Sequence, residues 1–249
     1  SINIPASIET IDSFAFYKCS NLTTVTFEAN SKLTRIGEYA FAHTKITSIN
    51  TPASVKTIDK YAFSESELTS INIPASIETI DSFSFYKCNN LTTVTFEEGL
   101  TRIGESVFSE SGLTSIEIPA SVETIDREAF IGCSNLGSIT FKANSKLTSI
   151  GGWAFSKCPL TSINIPANVD KISQYTFWQC ISLTTITFEA NSKLTHLRVN
   201  GTLNLDIDDW TKINGEIYIV EIPAMIDNLL QYAGYDETTY GPDQNLRPW

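Results

Sequence analysis

The chain has 249 residues, 42% of them hydrophobic and 18% charged, which is enough apolar material for a buried core. No apolar run approaches the ~20 residues that would span a bilayer as a helix. A net charge of −11 argues against nucleic acid, because phosphate binding needs clustered Lys and Arg.

The acidity is uneven. Residues 1–195 carry 14 basic and 19 acidic side chains (−5), and residues 196–249 carry 3 and 9 (−6). The last fifth of the chain is therefore a different kind of segment. The chain opens at Ser1 in mid-repeat, without an initiator Met or a signal peptide, and reads as a mature or trimmed fragment.

From its first residue the chain repeats itself. Residues 70–97 copy residues 1–28 except at Ala15/Ser84 and Ser20/Asn89, a duplication offset by 69 residues. A shorter period lies inside it. Equivalent apolar residues fall at Ile2, Val25, Ile49, Ile71, Val94, Ile116, Ile139, Ile163 and Ile186, spaced 22 to 24 apart. A unit that short cannot bury its own apolar face, so the period predicts a stacked solenoid.

One unit, residues 113–133, shows the predicted elements. Leu113, Ile116 and Ile118 give a strand with one buried face, since Ile116 and Ile118 alternate with polar residues. Pro119 removes a ladder donor and ends that strand. Val122 and Ile125 turn back into the interior. Ala129, Phe130 and Cys133 are spaced like one loop of α- or 3₁₀-helix. Two flavours of unit mix along the chain. One ends its strand in I-P, at Ile4-Pro5, Ile73-Pro74, Ile118-Pro119 and Ile165-Pro166. The other ends in T-F before a longer polar corner, as at Thr26-Phe27 and Thr187-Phe188.

The string L-T-S-I-x-I-P-A-S-V-x-T-I-D-x-x-A-F-x-x-C-x-x-L resembles the BspA-type leucine-rich repeat, over residues 1–197 and about nine turns. The resemblance implies an α/β repeat solenoid: a right-handed leucine-rich-repeat superhelix with a parallel β-sheet on its concave face. Short helical or irregular turns would form the convex side. It also implies bacterial or protist surface proteins that bind host proteins or other cells. Stacked at about 4.8 Å per turn, the sheet would be about 40 Å long. From Arg198 the pattern lapses. Residues 198–249 read as a C-terminal cap and tail, with strand-like pieces at 203–207 and 217–222 and an amphipathic stretch from Met225 to Ala233.

Two surfaces qualify as binding sites. The first flanks the central strand hydrophobe on the concave face: Thr24 and Thr26, Ser48 and Asn50, Ser70 and Asn72, Thr93 and Thr95, Ser115 and Glu117, Ser138 and Thr140, Ser162 and Asn164, Thr185 and Thr187. It offers many hydrogen bonds and no large anchor, whereas tight interfaces usually rest on Trp, Tyr or Arg. Its plain reading is a solvated sheet chosen for β-propensity. The second lies two residues before the repeat Phe: Phe14, Tyr39, Tyr61, Phe83, Trp153 and Tyr175, interrupted by Ser106 and Glu128. Facing outward, these rings would supply anchors; facing inward, they pack the convex layer.

The remaining candidates are weaker. Cys19, Cys88, Cys133, Cys158 and Cys180 all sit in F-x-x-C, which reads as interior packing. A disulfide among Cys133, Cys158 and Cys180 is the alternative in an oxidising compartment. No C-x-x-C pair exists and His is scarce, which speaks against zinc. His43 and His196 lack nucleophile or carboxylate partners in their sequence neighbourhood. No phosphate loop or G-x-S-x-G is present, so neither an enzyme nor a cofactor is expected. Asp206, Asp208 and Asp209 near Trp210 suggest calcium, but lack the glycine turn and distal Glu of a calcium loop. Asn21, Asn90 and Asn200 open N-x-T sequons. T-x-T at Thr24/Thr26, Thr93/Thr95 and Thr185/Thr187 raises ice binding, which needs that pattern on every turn.

The leading expectation is a non-enzymatic extracellular or cell-surface interaction module, adhesin-like, that binds a protein or glycoprotein. The alternative is a structural spacer displaying another domain of a longer surface protein.

Overall fold

The computed structural model describes residues 1–194 together with the backbone of 196–199, 203–206 and 218–221. Long and short strands alternate along the repeat. The long ones are β1 (Ile2–Ile4), β3 (Val25–Phe27), β5 (Ser48–Ile49), β7 (Ser70–Ile73), β9 (Thr93–Phe96), β11 (Ser115–Ile118), β13 (Ser138–Phe141), β15 (Ser162–Ile165) and β17 (Thr185–Phe188). Between them lie two-residue strands: β2 (Thr10–Ile11), β4 (Arg35–Ile36), β6 (Thr57–Ile58), β8 (Thr79–Ile80), β10 (Arg102–Ile103), β12 (Thr124–Ile125), β14 (Ser149–Ile150) and β16 (Lys171–Ile172). The expected count of about nine turns becomes eight complete turns and a ninth long strand among the described residues.

Every described pairing between turns is parallel and in register, Ile2 opposite Val25 and Ile71 opposite Val94, as a coil of stacked units requires. The long strands do not form one uninterrupted ladder. It breaks between β9 and β11 and between β13 and β15. Glu97 and Lys142 donate their N–H groups to Ile73 and Ile118 of the preceding turn. Pro119 and Pro166, with no N–H to give, occupy the matching position in the turns that fail to pair; Pro74 occupies it too, and there only the first two residues of β7 pair with β5.

The short strands form a second parallel ladder that the sequence reading did not foresee. It runs unbroken from β2 to β16 and continues into β18 (His196–Val199). Each strand contributes one buried Ile and one outward residue, and two residues leave no periodicity to read. The approach after β10 is close: a Cβ on Gly104 would stand 2.6 Å from the Ile80 carbonyl oxygen, so the backbone would have to shift to admit one, although Asp12, Asp59, Asp81, Asp126 and Ser173 hold the equivalent place in other turns.

The predicted helical loop at the third corner is absent, and among the described residues there is no helix. Residues 14–19 show why. Ala15, Tyr17 and Cys19 each donate to the carbonyl three residues back, while Phe14, Phe16 and Lys18 donate to Glu38, Ala40 and Ala42 of the next turn. Alternate N–H groups thus leave the turn altogether, which an α-helix cannot allow. Two residues of this corner sit in the left-handed region in each turn, from Phe14 and Lys18 (φ 62° and 56°) to Tyr175 and Gln179 (φ 61° and 55°). Each such residue costs about 1–2 kcal/mol. Inter-turn hydrogen bonds at about 1 kcal/mol each, with ring stacking of about 0.5–1.5 kcal/mol per pair, offset that cost.

The core is continuous. Phe16, Phe41, Phe63, Phe85, Phe108, Phe130, Phe155 and Phe177 stack in one column, with centroids 5.1 to 5.9 Å apart. At the far end the parallel rule lapses: β18 pairs antiparallel with β19 (Leu203–Asp206), and β17 with β20 (Tyr218–Glu221).

Candidate functional site

The period-2 geometry of the long strands sends every second side chain outward. Thr24, Thr26, Ser48, Asn50, Ser70, Thr93, Thr95, Ser115, Glu117, Ser138, Thr140, Ser162 and Asn164 are all exposed, and Asn72, Thr185 and Thr187 are half-buried. They therefore share one outer face, whose one ionisable member in this set is Glu117. Within it, neighbouring turns are cross-linked: the hydroxyls of Thr26, Thr95 and Thr187 donate to the side-chain oxygens of Asn3, Asn72 and Asn164 at 2.9, 2.9 and 2.8 Å. The I-P turn supplies the amide and the following T-F turn the hydroxyl. The T-x-T pairs fall on β3, β9 and β17, separated by turns of other composition, so they form no continuous threonine array.

At the rim of this face lies a latch that the sequence reading missed. The carboxylates of Glu28, Glu97 and Glu189 accept the backbone N–H of Ala6, Ala75 and Ala167 at 2.9, 3.1 and 3.0 Å. In the corner after β13, Lys142 stands in place of that glutamate and bonds Glu98 at 3.0 Å. The ammonium holds the Glu98 carboxyl below its usual range.

The aromatic residues occupy the third corner, and those inside a stack reach solvent at their rims while Phe14, at its start, is exposed. Phe14, Tyr39, Tyr61 and Phe83 stack in sequence, with centroids 5.1, 4.6 and 4.8 Å apart and planes within 13°. Tyr39 and Tyr61 are sandwiched on both faces. The column stops at Ser106, which is buried, and at Glu128. It resumes with Trp153 on Tyr175 at 4.7 Å, where the Arg127 guanidinium covers the other face of Trp153 at 4.8 Å. A second row went unnoticed in the sequence: Tyr17, Tyr86 and Trp178, three residues further on, carry Lys18, Lys87 and Lys157 over their rings. The signal was present, as a large residue in the I-P turns opposite Ala or Ser in the others.

The repeated sequence that builds these ladders and the phenylalanine column matches a known family model. The BspA type leucine rich repeat region matches in six copies, over residues 1–114 and 101–219. The chain belongs to the BspA-type leucine-rich repeat family. Among solved structures it is similar to a leucine-rich repeat protein from Bacteroides ovatus, at 24% identity and a TM-score of 0.63 over 80% of this chain and 60% of that one. It is also similar to a leucine rich cell surface protein from Faecalibacterium prausnitzii, at 29% identity and TM-score 0.55 over 79% and 62%. The pneumococcal vaccine antigen PcpA shares the fold, at 21% identity and TM-score 0.52 over 83% and 47%. The chain thus spans less than two thirds of each of these proteins. Comparison with curated proteins found no match.

In this BspA-type solenoid the F-x-x-C cysteines are packing residues. All five are free; Cys88, Cys133, Cys158 and Cys180 are buried, and Cys19, in the first turn, is exposed. Each buried thiol donates to a phenylalanine carbonyl of the preceding turn, Cys88 to Phe63 at 3.1 Å and Cys180 to Phe155 at 3.0 Å. Burial pushes the Cys88 thiol up to about 11 and that of Cys180 up to about 12, so both stay protonated at neutral pH.

His43 has a carboxylate partner after all. Glu65, 22 residues on, reaches its Nδ1 at 3.2 Å across the turn boundary, and Tyr17 lies edge-on to its ring at 5.5 Å. Sequence neighbourhood could not reveal a partner supplied by the next turn. Asn21 and Asn90 are exposed, each just before a buried Leu. Among the described residues no group of three or more His, Cys, Asp or Glu could hold a metal ion, and no helix is long and apolar enough to cross a membrane. Asn200, Asp208, Asp209, Trp210, residues 225–233 and the side chains of His196 and Asp206 lie outside what the structure describes.

Proposed function

We propose that this solenoid is a non-enzymatic extracellular or cell-surface interaction module, adhesin-like, that binds a protein or glycoprotein through the outer face of its long-strand sheet. The observation that carries this reading is the state of that face. Its hydroxyl and amide groups stand exposed in rows from Ser48 to Asn164, on a scaffold whose stability comes from the other side of the strands. Rows of small polar groups offer many hydrogen bonds over a wide area, which suits an extended partner better than a small molecule. The likeness to a cell surface protein from Faecalibacterium prausnitzii supports the location. The aromatic corner is the lesser candidate, because stacking occupies the ring faces of Tyr39 and Tyr61 that would lie on a sugar.

The test is binding to a panel of matrix and cell-surface glycoproteins, beside a variant carrying Asn72→Arg and Ser115→Arg. Saturable binding lost in the variant is the expected result. Binding that survives the two arginines moves the site to the aromatic corner. Inert protein in both cases supports the second reading, a rigid spacer, for which the unbroken phenylalanine column is the relevant observation.

A further inference from the structure

Neither the sheet face nor the aromatic corner uses the N-x-T motif, and the structure shows where that motif stands. Between the corner and the next long strand three turns read C-x-N-L, with Asn21, Asn90 and Asn135 in the same place. Each asparagine is third in a β-turn closed by the backbone alone. Leu22, Leu91 and Leu136 donate their N–H groups to the carbonyls of Cys19, Cys88 and Cys133 at 2.9, 2.9 and 3.0 Å. The three leucines are buried, and the three asparagines beside them are exposed.

These three side chains take no part in holding the fold. Among the described residues no group hydrogen-bonds the amides of Asn21, Asn90 or Asn135. Other asparagines differ. Asn3, Asn72 and Asn164 link turns, Asn168 donates to the Ser145 carbonyl at 2.8 Å, and Asn30, Asn144 and Asn191 take left-handed backbone. What separates the three exposed asparagines lies two residues on. Exposed Thr23 and Thr92 follow Asn21 and Asn90, whereas Gly137 follows Asn135. The Thr92 hydroxyl donates to the Thr69 carbonyl at 3.3 Å and keeps its lone pairs at the surface. The chain therefore carries two copies of one acceptor geometry, three turns or about 14 Å apart, and a third copy without the hydroxyl.

We propose that Asn21 and Asn90 are N-glycosylation sites and that Asn135 is not. The donor class is a polyprenyl-pyrophosphate-linked oligosaccharide. The bond from Nδ2 to the anomeric carbon forms, the bond from that carbon to the pyrophosphate oxygen breaks, and the amide gives up one proton. The transfer recognises a hydroxyl two residues after the asparagine, and its product is a bulky, hydrated group that only an exposed turn accommodates. This inference rests on the extracellular reading above, since the modification belongs to secreted and surface proteins. Both asparagines lie just ahead of the sheet face, three residues before Thr24 and Thr93. The attached sugars therefore border that face where β3 and β9 begin. Beside Ser138 the border is missing, because Asn135 lacks the hydroxyl, and Ser115, Ser138 and Ser162 stay open to a partner.

The test uses the protein recovered from the cells that produce it, after labelling of the cell surface with a membrane-impermeant biotin. Tryptic peptides 19–32, 88–102 and 128–142 hold the three asparagines, and fragmentation in the mass spectrometer places any sugar on its residue. The expected result is an oligosaccharide on Asn21 and Asn90 of the labelled protein and a bare Asn135. Thr23→Val is expected to lose the sugar from peptide 19–32 alone, and Thr92→Val from peptide 88–102 alone. Bare Asn21 and Asn90 in surface-labelled protein overturn the proposal and leave the extracellular reading standing. Bare asparagines in protein that takes no label overturn both. Sugar on Asn135 also overturns the proposal, because the hydroxyl then does not select the acceptor. So does sugar found on Thr23 and Thr92 themselves, which makes the hydroxyl the acceptor.

Discussion

The sheet face and the aromatic corner are built from the same turns and both reach solvent, yet they differ in what they leave available. On the sheet face the strand hydrogen bonds run within the ladder, as between β11 and β13 and between β15 and β17, and the side chains of Ser115, Ser138 and Ser162 stand exposed. At the corner the rings are themselves part of the stack. Tyr61 lies between Tyr39 and Phe83 at 4.6 and 4.8 Å. Partial exposure of an aromatic side chain thus says little about its use as an anchor when its faces are already occupied.

The contrast can be broken first at the core beneath both faces. Phe85→Ala, which removes one member of the internal column, is expected to cost about 3–5 kcal/mol in urea unfolding, as for other fully buried aromatics. A loss below about 1 kcal/mol would mean that neighbouring rings close the gap. Tyr61→Ala tests whether the corner is structural. Two stacked contacts at about 0.5–1.5 kcal/mol each predict a loss of about 1–3 kcal/mol, and no change would return the ring to the pool of binding residues.

The tight corners give a matched pair. Gly104→Ala is expected to cost about 1–3 kcal/mol through overpacking against the Ile80 carbonyl, and Gly137→Ala, where a Cβ meets nothing within 4 Å, to stay within about 0.5 kcal/mol. Equal effects in thermal unfolding would show that backbone entropy, and not contact, governs both. On the sheet face, Thr95→Val breaks the bond to Asn72 and should change stability by only about 0.5 kcal/mol, since both groups keep access to water.

The smallest effect concerns acid. The Glu98 carboxyl is held low by the Lys142 ammonium, so its contribution is present above the unfolded carboxylate range and is lost as pH falls through the folded value. Lys142→Met should lower stability slightly at neutral pH and leave it unchanged at acid pH where Glu98 is protonated, which flattens the acid limb of a stability–pH profile. An equal loss at acid and neutral pH would mark a structural role for the lysine.

Most of the solenoid was legible because its determinants are local and repeated. The period, the alternation in Ser115–Ile118, the inward Ile125 and Phe130 and the F-x-x-C column all follow from side-chain chemistry at fixed spacing. The helical loop was misjudged because Ala129, Phe130 and Cys133 fit a helical spacing equally well, and what decides the case is where the N–H groups go. Phe108 donates to Ala129 and Phe130 to Ala154, across the turn boundary.

By itself, then, the sequence determined that this is a coil of stacked turns and which residues its core takes in, because burial of a short apolar repeat admits few other solutions. Only the tertiary structure decided what the turns do to one another. It supplied the second ladder, the left-handed corner, the pairing of His43 with Glu65 and the stacking that occupies the ring faces. Each of these depends on partners some 22 to 25 residues apart that meet only when one turn lies on the next.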